Sequence, residues 1–178
     1  MNPFDILNKY YDVNSDLYKI LVEHSHDVAN KALMLAKNRL DLHPDLVFIE
    51  EAAMLHDIGV FQTFAPDIFC DGTNAYICHG YLGSAILMRE GYPLHAMVCE
   101  RHTGTGLSLA YIEKVELPLP YRDMLPISIE EQIICFADKF FSKTHLGEER
   151  SLKTAPFKLE KYGPETVARF DNWCKMFL

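Results

Sequence analysis

The sequence predicts an all-α fold, and three observations carry that expectation. Apolar residues recur at helical spacings along most of the chain. Pro and Gly fall between those runs, and no stretch of five or more residues alternates like a strand. From Leu17, the stripe Ile20, Leu21, Val28, Ala32, Leu35 and Ala36 marks a long amphipathic helix that ends before Pro44. Pro44 and Asp45 open a second helix through Leu46, Ile49 and Ala53, with Gly59 as its expected C-cap. A loop with Pro66 and Asp71-Gly72 precedes a third helix carrying Leu82, Ile86 and Leu87 and closed by Gly91. Pro93 then starts a short fourth helix. Residues 103–127 hold Gly104, Gly106, Pro118, Pro120 and Pro126, and read as extended chain with one turn around Ala110–Val115. Ser128-Ile129-Glu130-Glu131 is a capping box for a helix continued by Ile133, Phe136 and Phe140. Pro164 begins the last helix, with Val167, Phe170, Cys174 and Phe177 on one face.

At 178 residues the chain has the size of one ordinary domain. Hydrophobic residues make up 49%, enough apolar surface to offset the ordering entropy and exclude a disordered chain. Lys+Arg number 17 against 25 Asp+Glu, so the net charge is 17 − 25 = −8. That excludes the electrostatic footprint of a nucleic-acid polymer or anionic-membrane binder. An anionic substrate would need another attractor, and a metal would serve. The five cysteines form no C-x-x-C pair and read as reduced thiols. The start of the chain lacks the pattern of a signal peptide, and no run approaches ~18 uncharged apolar residues. These features together give the expectation of a cytoplasmic protein.

The histidines carry the chemistry. His24 lies on the first stripe, between Leu21 and Val28, whereas His26 is ~200° further round and should face water. His56 ends the stripe Ile49–Ala53 and is followed by Asp57. His79 shares a face with Leu82 and Ile86, and His102 shares one with Leu94 and Val98. Asp138 faces the same way as Ile134 in a helix apolar almost all round, where an unpaired carboxylate would be very costly. A single inward histidine is more often a hydrogen-bonded core residue than a ligand. Four His and two Asp facing inward from separate segments are the donor set of a Fe, Mn, Ni or Zn site. His26, His43, His95 and His145 are expected to be solvated, Cys78 a buried thiol, and Trp173 part of the core.

The segments Glu23-His24-Ser25, His56-Asp57-Ile58-Gly59 and Ala137-Asp138-Lys139 resemble the HD superfamily of metal-dependent phosphohydrolases in its HDIG form. His79-Gly80-x-x-Gly83-Ser84 and Glu100-Arg101-His102-Thr103-Gly104 are similar to the extra histidine elements of its two-metal members, including bacterial diadenosine tetraphosphate hydrolases. The stretch Leu117 to Lys139 is closer to small stand-alone HDIG proteins. The resemblance implies a helical-bundle HD domain over 1–178, with a motif-bearing core at 17–145 and a C-terminal helix at 164–177. It also implies two divalent transition metals. His24, His56, Asp57 and Asp138 would hold the first, and His79 and His102 the second, with Asp57 bridging and catalytic.

The implied reaction is hydrolysis of a phosphoester or phosphoanhydride of a small, nucleotide-like substrate by a metal-activated water. Lys139 and Arg101 are the candidates for neutralising phosphoryl charge. Two other activities use the same fold: a mixed-valent di-iron oxygenase with the same six-ligand set, and a non-catalytic nucleotide-binding module. The ligands alone leave the choice open, as they leave open a monomer or a homodimer.

Overall fold

Helix caps and prolines set most of the element boundaries. The computed structural model describes the backbone of residues 1–178 and every side chain except those of residues 157 and 158. Among the described residues there are eight α-helices: α1 (Pro3–Tyr10), α2 (Asp16–Asn38), α3 (Leu46–Leu55), α4 (His79–Arg89), α5 (Pro93–Arg101), α6 (Leu109–Lys114), α7 (Ile129–Asp138) and α8 (Pro164–Phe177). Ser15, Asp45, Ser108 and Ser128 each accept the backbone N–H three residues on, at the starts of α2, α3, α6 and α7. Pro93 and Pro164 take the first positions of α5 and α8, where a missing N–H costs nothing. The all-α architecture agrees with the sequence reading; the one small sheet pairs β1 (Phe64–Ala65) with β2 (Cys70–Asp71) antiparallel.

Four local expectations need correction. Helix α1 was not anticipated, because eight residues give too few turns for a periodic pattern, although Asn2 caps it and Pro3 starts it. Gly59 is not a left-handed C-cap: its φ is −85°, and α3 already ends at Leu55. Its lack of a side chain serves packing instead. A Cβ there would lie 2.3 Å from both the His79 carbonyl oxygen and the Gly83 nitrogen. The capping box at Ser128 is half made: Ser128 accepts the Glu131 N–H, but the Glu131 carboxylate accepts from Ile127 N. Helix α7 stops at Asp138, so Phe140 lies beyond it.

Helix α3 is the centre of the bundle and lies against α1, α2, α5 and α7. On one side Val28, Ile49, Ile133, Phe136, Phe170 and Phe177 form a cluster of α2, α3, α7 and α8. Phe136 is fully buried in it, with ring centroids 5.1 Å from both Phe140 and Phe170. Truncating such a side chain to Ala costs roughly 3–5 kcal/mol. On the other side Leu7, Leu21, Leu55, Ile58, Leu87 and Cys99 join α1, α2, α3, α4 and α5. His24 falls between Leu21, which packs in the second cluster, and Val28, which packs in the first.

Candidate metal centre

Five of the six inward donors sit at helix boundaries, where the backbone leaves hydrogen-bonding groups free. His24 is mid-helix in α2; His56 and His102 follow the last residues of α3 and α5; Asp57 is in the turn after His56; His79 opens α4; Asp138 closes α7. All four histidines and Asp57 are buried, and the Asp138 side chain is 13% exposed.

Three of the rings are held the same way. The Nδ1 atoms of His56, His79 and His102 lie 2.6, 2.7 and 2.7 Å from the carbonyl oxygens of Ala53, Tyr76 and Cys99, each three residues earlier. A carbonyl only accepts, so each Nδ1 carries a proton and donates it, and Nε2 is the nitrogen that offers a lone pair whenever the ring is neutral. Orientation of this kind is characteristic of metal-binding imidazoles. The backbone of two of these residues is held in turn by thiols: Cys99 Sγ donates to the His56 carbonyl at 2.9 Å, and Cys135 Sγ to that of His102 at 3.2 Å.

The free nitrogens converge on Asp57 from two directions. Its Oδ2 lies 3.2 Å from His24 Nε2 and 2.9 Å from His56 Nε2, and its Oδ1 lies 3.4 Å from Nε2 of both His79 and His102. Asp138 Oδ1 completes the first group, 3.1 Å from His24 Nε2 and 3.6 Å from His56 Nε2. Two sets of donor atoms therefore lie within metal-ligating range of one another: His24, His56, Asp57 and Asp138; and Asp57, His79 and His102. Yet His56 Nε2 and both Asp57 oxygens, all buried, lack a properly aligned hydrogen bond, although the Lys143 ammonium lies beside Asp57 Oδ2. Buried polar atoms that crowd together without bonding carry a large desolvation penalty. A divalent cation among them would satisfy all three, and the N/O donor set suits one.

Charge divides the two groups. Burial pushes His56 down, but the adjacent Asp57 and Asp138 carboxylates outweigh it and raise its pKa to about 9. Burial alone would lift Asp57 and Asp138, and their neighbours reverse this: the charges of His56 and Lys143 for Asp57, the Lys139 charge and a hydrogen bond from His24 for Asp138, holding both well below the usual carboxylate range. His79 goes the other way, to about 3, because burial outweighs the attraction of Asp57. His102 is lowered for the same reason.

Lys139 stands at the centre, with Nζ 2.7 Å from Asp138 Oδ2 and donating to the His102 carbonyl at 3.1 Å. Arg101 does not reach it. Its guanidinium donates to both oxygens of Glu131, at 3.1 and 3.0 Å, on the flank of the bundle. Two residues without an expected site role do reach it. Lys143 Nζ lies 2.5 Å from Asp57 Oδ2, and the Tyr76 ring stacks on His79 at 4.7 Å. Both line a cavity of about 360 Å³ that opens over His24 and Asp138. His95 is also corrected: it is not solvated but 8% exposed, packed on Phe48 with Nε2 3.5 Å from Glu51. Cys78 and Trp173 are buried as expected, and His26, His43 and His145 are exposed.

Residues 21–142 match the HD domain family. A protein of Methanocaldococcus jannaschii named as uncharacterized is 34% identical over 127 residues, covering 70% of this chain and 68% of its own. Two proteins named tRNA (cytidine(56)-2'-O)-methyltransferase also match: that of Thermoplasma volcanium is 32% identical over 150 residues, and that of Picrophilus torridus 27% over 157. These matches cover 83% and 82% of this chain but only 38% and 41% of the two methyltransferase-named proteins. No solved structure matches.

Proposed function

Because the chain belongs to the HD domain family, we propose that it is a metal-dependent phosphohydrolase of the HDIG type, acting on a small nucleotide-like phosphoester. The observation that carries this reading is the division of one buried carboxylate. Asp57 turns Oδ2 to His24 and His56 and Oδ1 to His79 and His102. A carboxylate so shared suits a bridging role between two cations, with Asp138 on the first only.

Bound there, divalent cations would supply a hydroxide near neutral pH and polarise the phosphoryl oxygens. The chain's own part is to orient and to balance charge. The Nδ1–H bonds to Ala53, Tyr76 and Cys99 keep the His56, His79 and His102 rings fixed and neutral when ligating. Lys139 is positioned by Asp138 and the His102 carbonyl to meet developing negative charge on the phosphoryl group. Arg101, committed to Glu131, is left out of that role.

The methyltransferase-named relatives are more than twice as long as the stretch they share with this chain, and we assign their named activity to their remaining parts. The decisive experiment is metal analysis of the purified protein, followed by a screen of nucleotides and dinucleoside polyphosphates for phosphate release. Release that depends on Mn, Ni or Fe and disappears on chelation is the expected result. Oxygen consumption by an air-sensitive iron form, with no phosphate release, would replace this reading by the oxygenase.

A further inference from the structure

The cavity above the metal centre is positive in a chain of net charge −8. Four cations line it, and they fall into two pairs. Lys139 and Lys143 are already matched with Asp138 and Asp57. Arg150 and Lys161 have no acidic partner among the described residues. Arg150 is nonetheless held: its Nη1 donates to the carbonyl oxygens of Phe141, at 2.8 Å, and Lys139, at 3.4 Å. Those bonds fix the guanidinium without neutralising it. The Lys161 ammonium sits 4.7 Å over the Tyr162 ring, which steers it by cation–π attraction and likewise leaves its charge unmatched. Asp67 also lines the cavity, and forms no ion pair with either cation.

We propose that Arg150 and Lys161 bind a second phosphate of the substrate, making this a site for phosphoesters that carry two separate phosphate groups. The inference rests on the phosphohydrolase reading for the first phosphate, which the metal centre and Lys139 would engage. A substrate with one phosphate would leave two oriented cations facing solvent in the same cavity. A guanidinium fixed by backbone carbonyls is a pre-organised fork for phosphate oxygens. The volume of about 360 Å³ is at the small end of the range for ligand pockets and suits a mononucleotide-sized molecule.

The test compares adenosine 5′-monophosphate with adenosine 3′,5′-bisphosphate by equilibrium binding to the purified, metal-containing protein, with phosphate release measured in parallel. The bisphosphate should bind at least about tenfold more tightly, the value of one good charge-assisted hydrogen bond. The double variant Arg150→Gln/Lys161→Gln should bring that ratio close to one. Arg150→Gln could loosen the 139–150 segment, so Lys161→Gln is the independent arm. Its ammonium sits over the Tyr162 ring and makes no hydrogen bond or ion pair among the described residues, and the variant should by itself lower the ratio about threefold or more. Equal affinities in the wild type, or a ratio unchanged in Lys161→Gln and the double variant, would overturn the proposal. Binding preference without any hydrolysis would uphold this site and remove the phosphohydrolase reading; hydrolysis without the preference would do the reverse.

Discussion

The two donor groups share burial and a carboxylate, yet His56 in one and His79 in the other shift in opposite directions. In the group of His24, His56, Asp57 and Asp138, the second carboxylate tips the balance and His56 holds a proton up to about 9. In the group of Asp57, His79 and His102, one shared carboxylate does not offset burial, and His79 stays neutral down to about 3. Burial works against the charged imidazole at both residues: the two carboxylates outweigh it at His56, whereas His102 and Lys143 add to it at His79.

The largest effect should come from the residue common to both. Asp57→Ala should take bound metal from about two per chain to none, and phosphate release to background, by metal analysis and activity assay. Retained metal would show that the groups do not depend on the shared carboxylate. Next come His79→Ala and His102→Ala, each expected to lower the metal content from about two to about one. If the wild type and both variants hold one metal equally well while activity falls, the second group is a substrate site and the mechanism is mononuclear.

The proton states give a third test on chelated protein. The raised His56 pKa contributes stability that is fully present below the unfolded value of 6.5 and is lost as pH rises through about 9. The lowered His79 pKa works oppositely. Below 6.5 the unfolded chain takes up a proton that folded His79 refuses until about 3, so stability falls there as pH falls. The melting temperature should therefore peak near pH 6.5 and decline on both sides. A monotonic profile across pH 5 to 9 would contradict the opposed signs. A smaller effect is expected from Lys143→Met. Removing the ammonium from Asp57 Oδ2 should tighten metal binding, on the order of tenfold in a competition titration with a chelator. His26→Ala, on the exposed face of α2, should change neither metal content nor activity.

The helical regions were the legible ones. His24, His56, His79 and His102 lie on or at the end of apolar stripes, and a 3.6-residue period states which way each points. The stretch after Asp138 offers no such period, since α7 ends there and turns follow to Ala155. Lys143, Arg150 and Lys161 therefore look like ordinary surface cations in the sequence, although the fold gathers them over the metal centre. Tyr76 was missed for the same reason, since it opens a single 3-10 turn. His95 was misread because its partner Glu51 belongs to α3, a contact that spacing along α5 cannot register. Arg101 was placed by adjacency to His102, but a neighbour on a helix points ~100° away, toward Glu131.

The contact between Gly59 and Gly83 bears on how far apart Asp57 and His79 can move. A Cβ on Gly83 would meet Cys99 Sγ at 2.4 Å and Gly59 N at 2.9 Å, so main chain touches main chain beside both donor groups. Asp57 and His79 thus hang from a frame whose width is fixed by hard contact and not by rotamers that could spread. A methyl group at either position would force α4 off the turn after α3 and so part Asp57 from His79, whose Oδ1 and Nε2 lie 3.4 Å apart, although neither glycine offers a ligand atom.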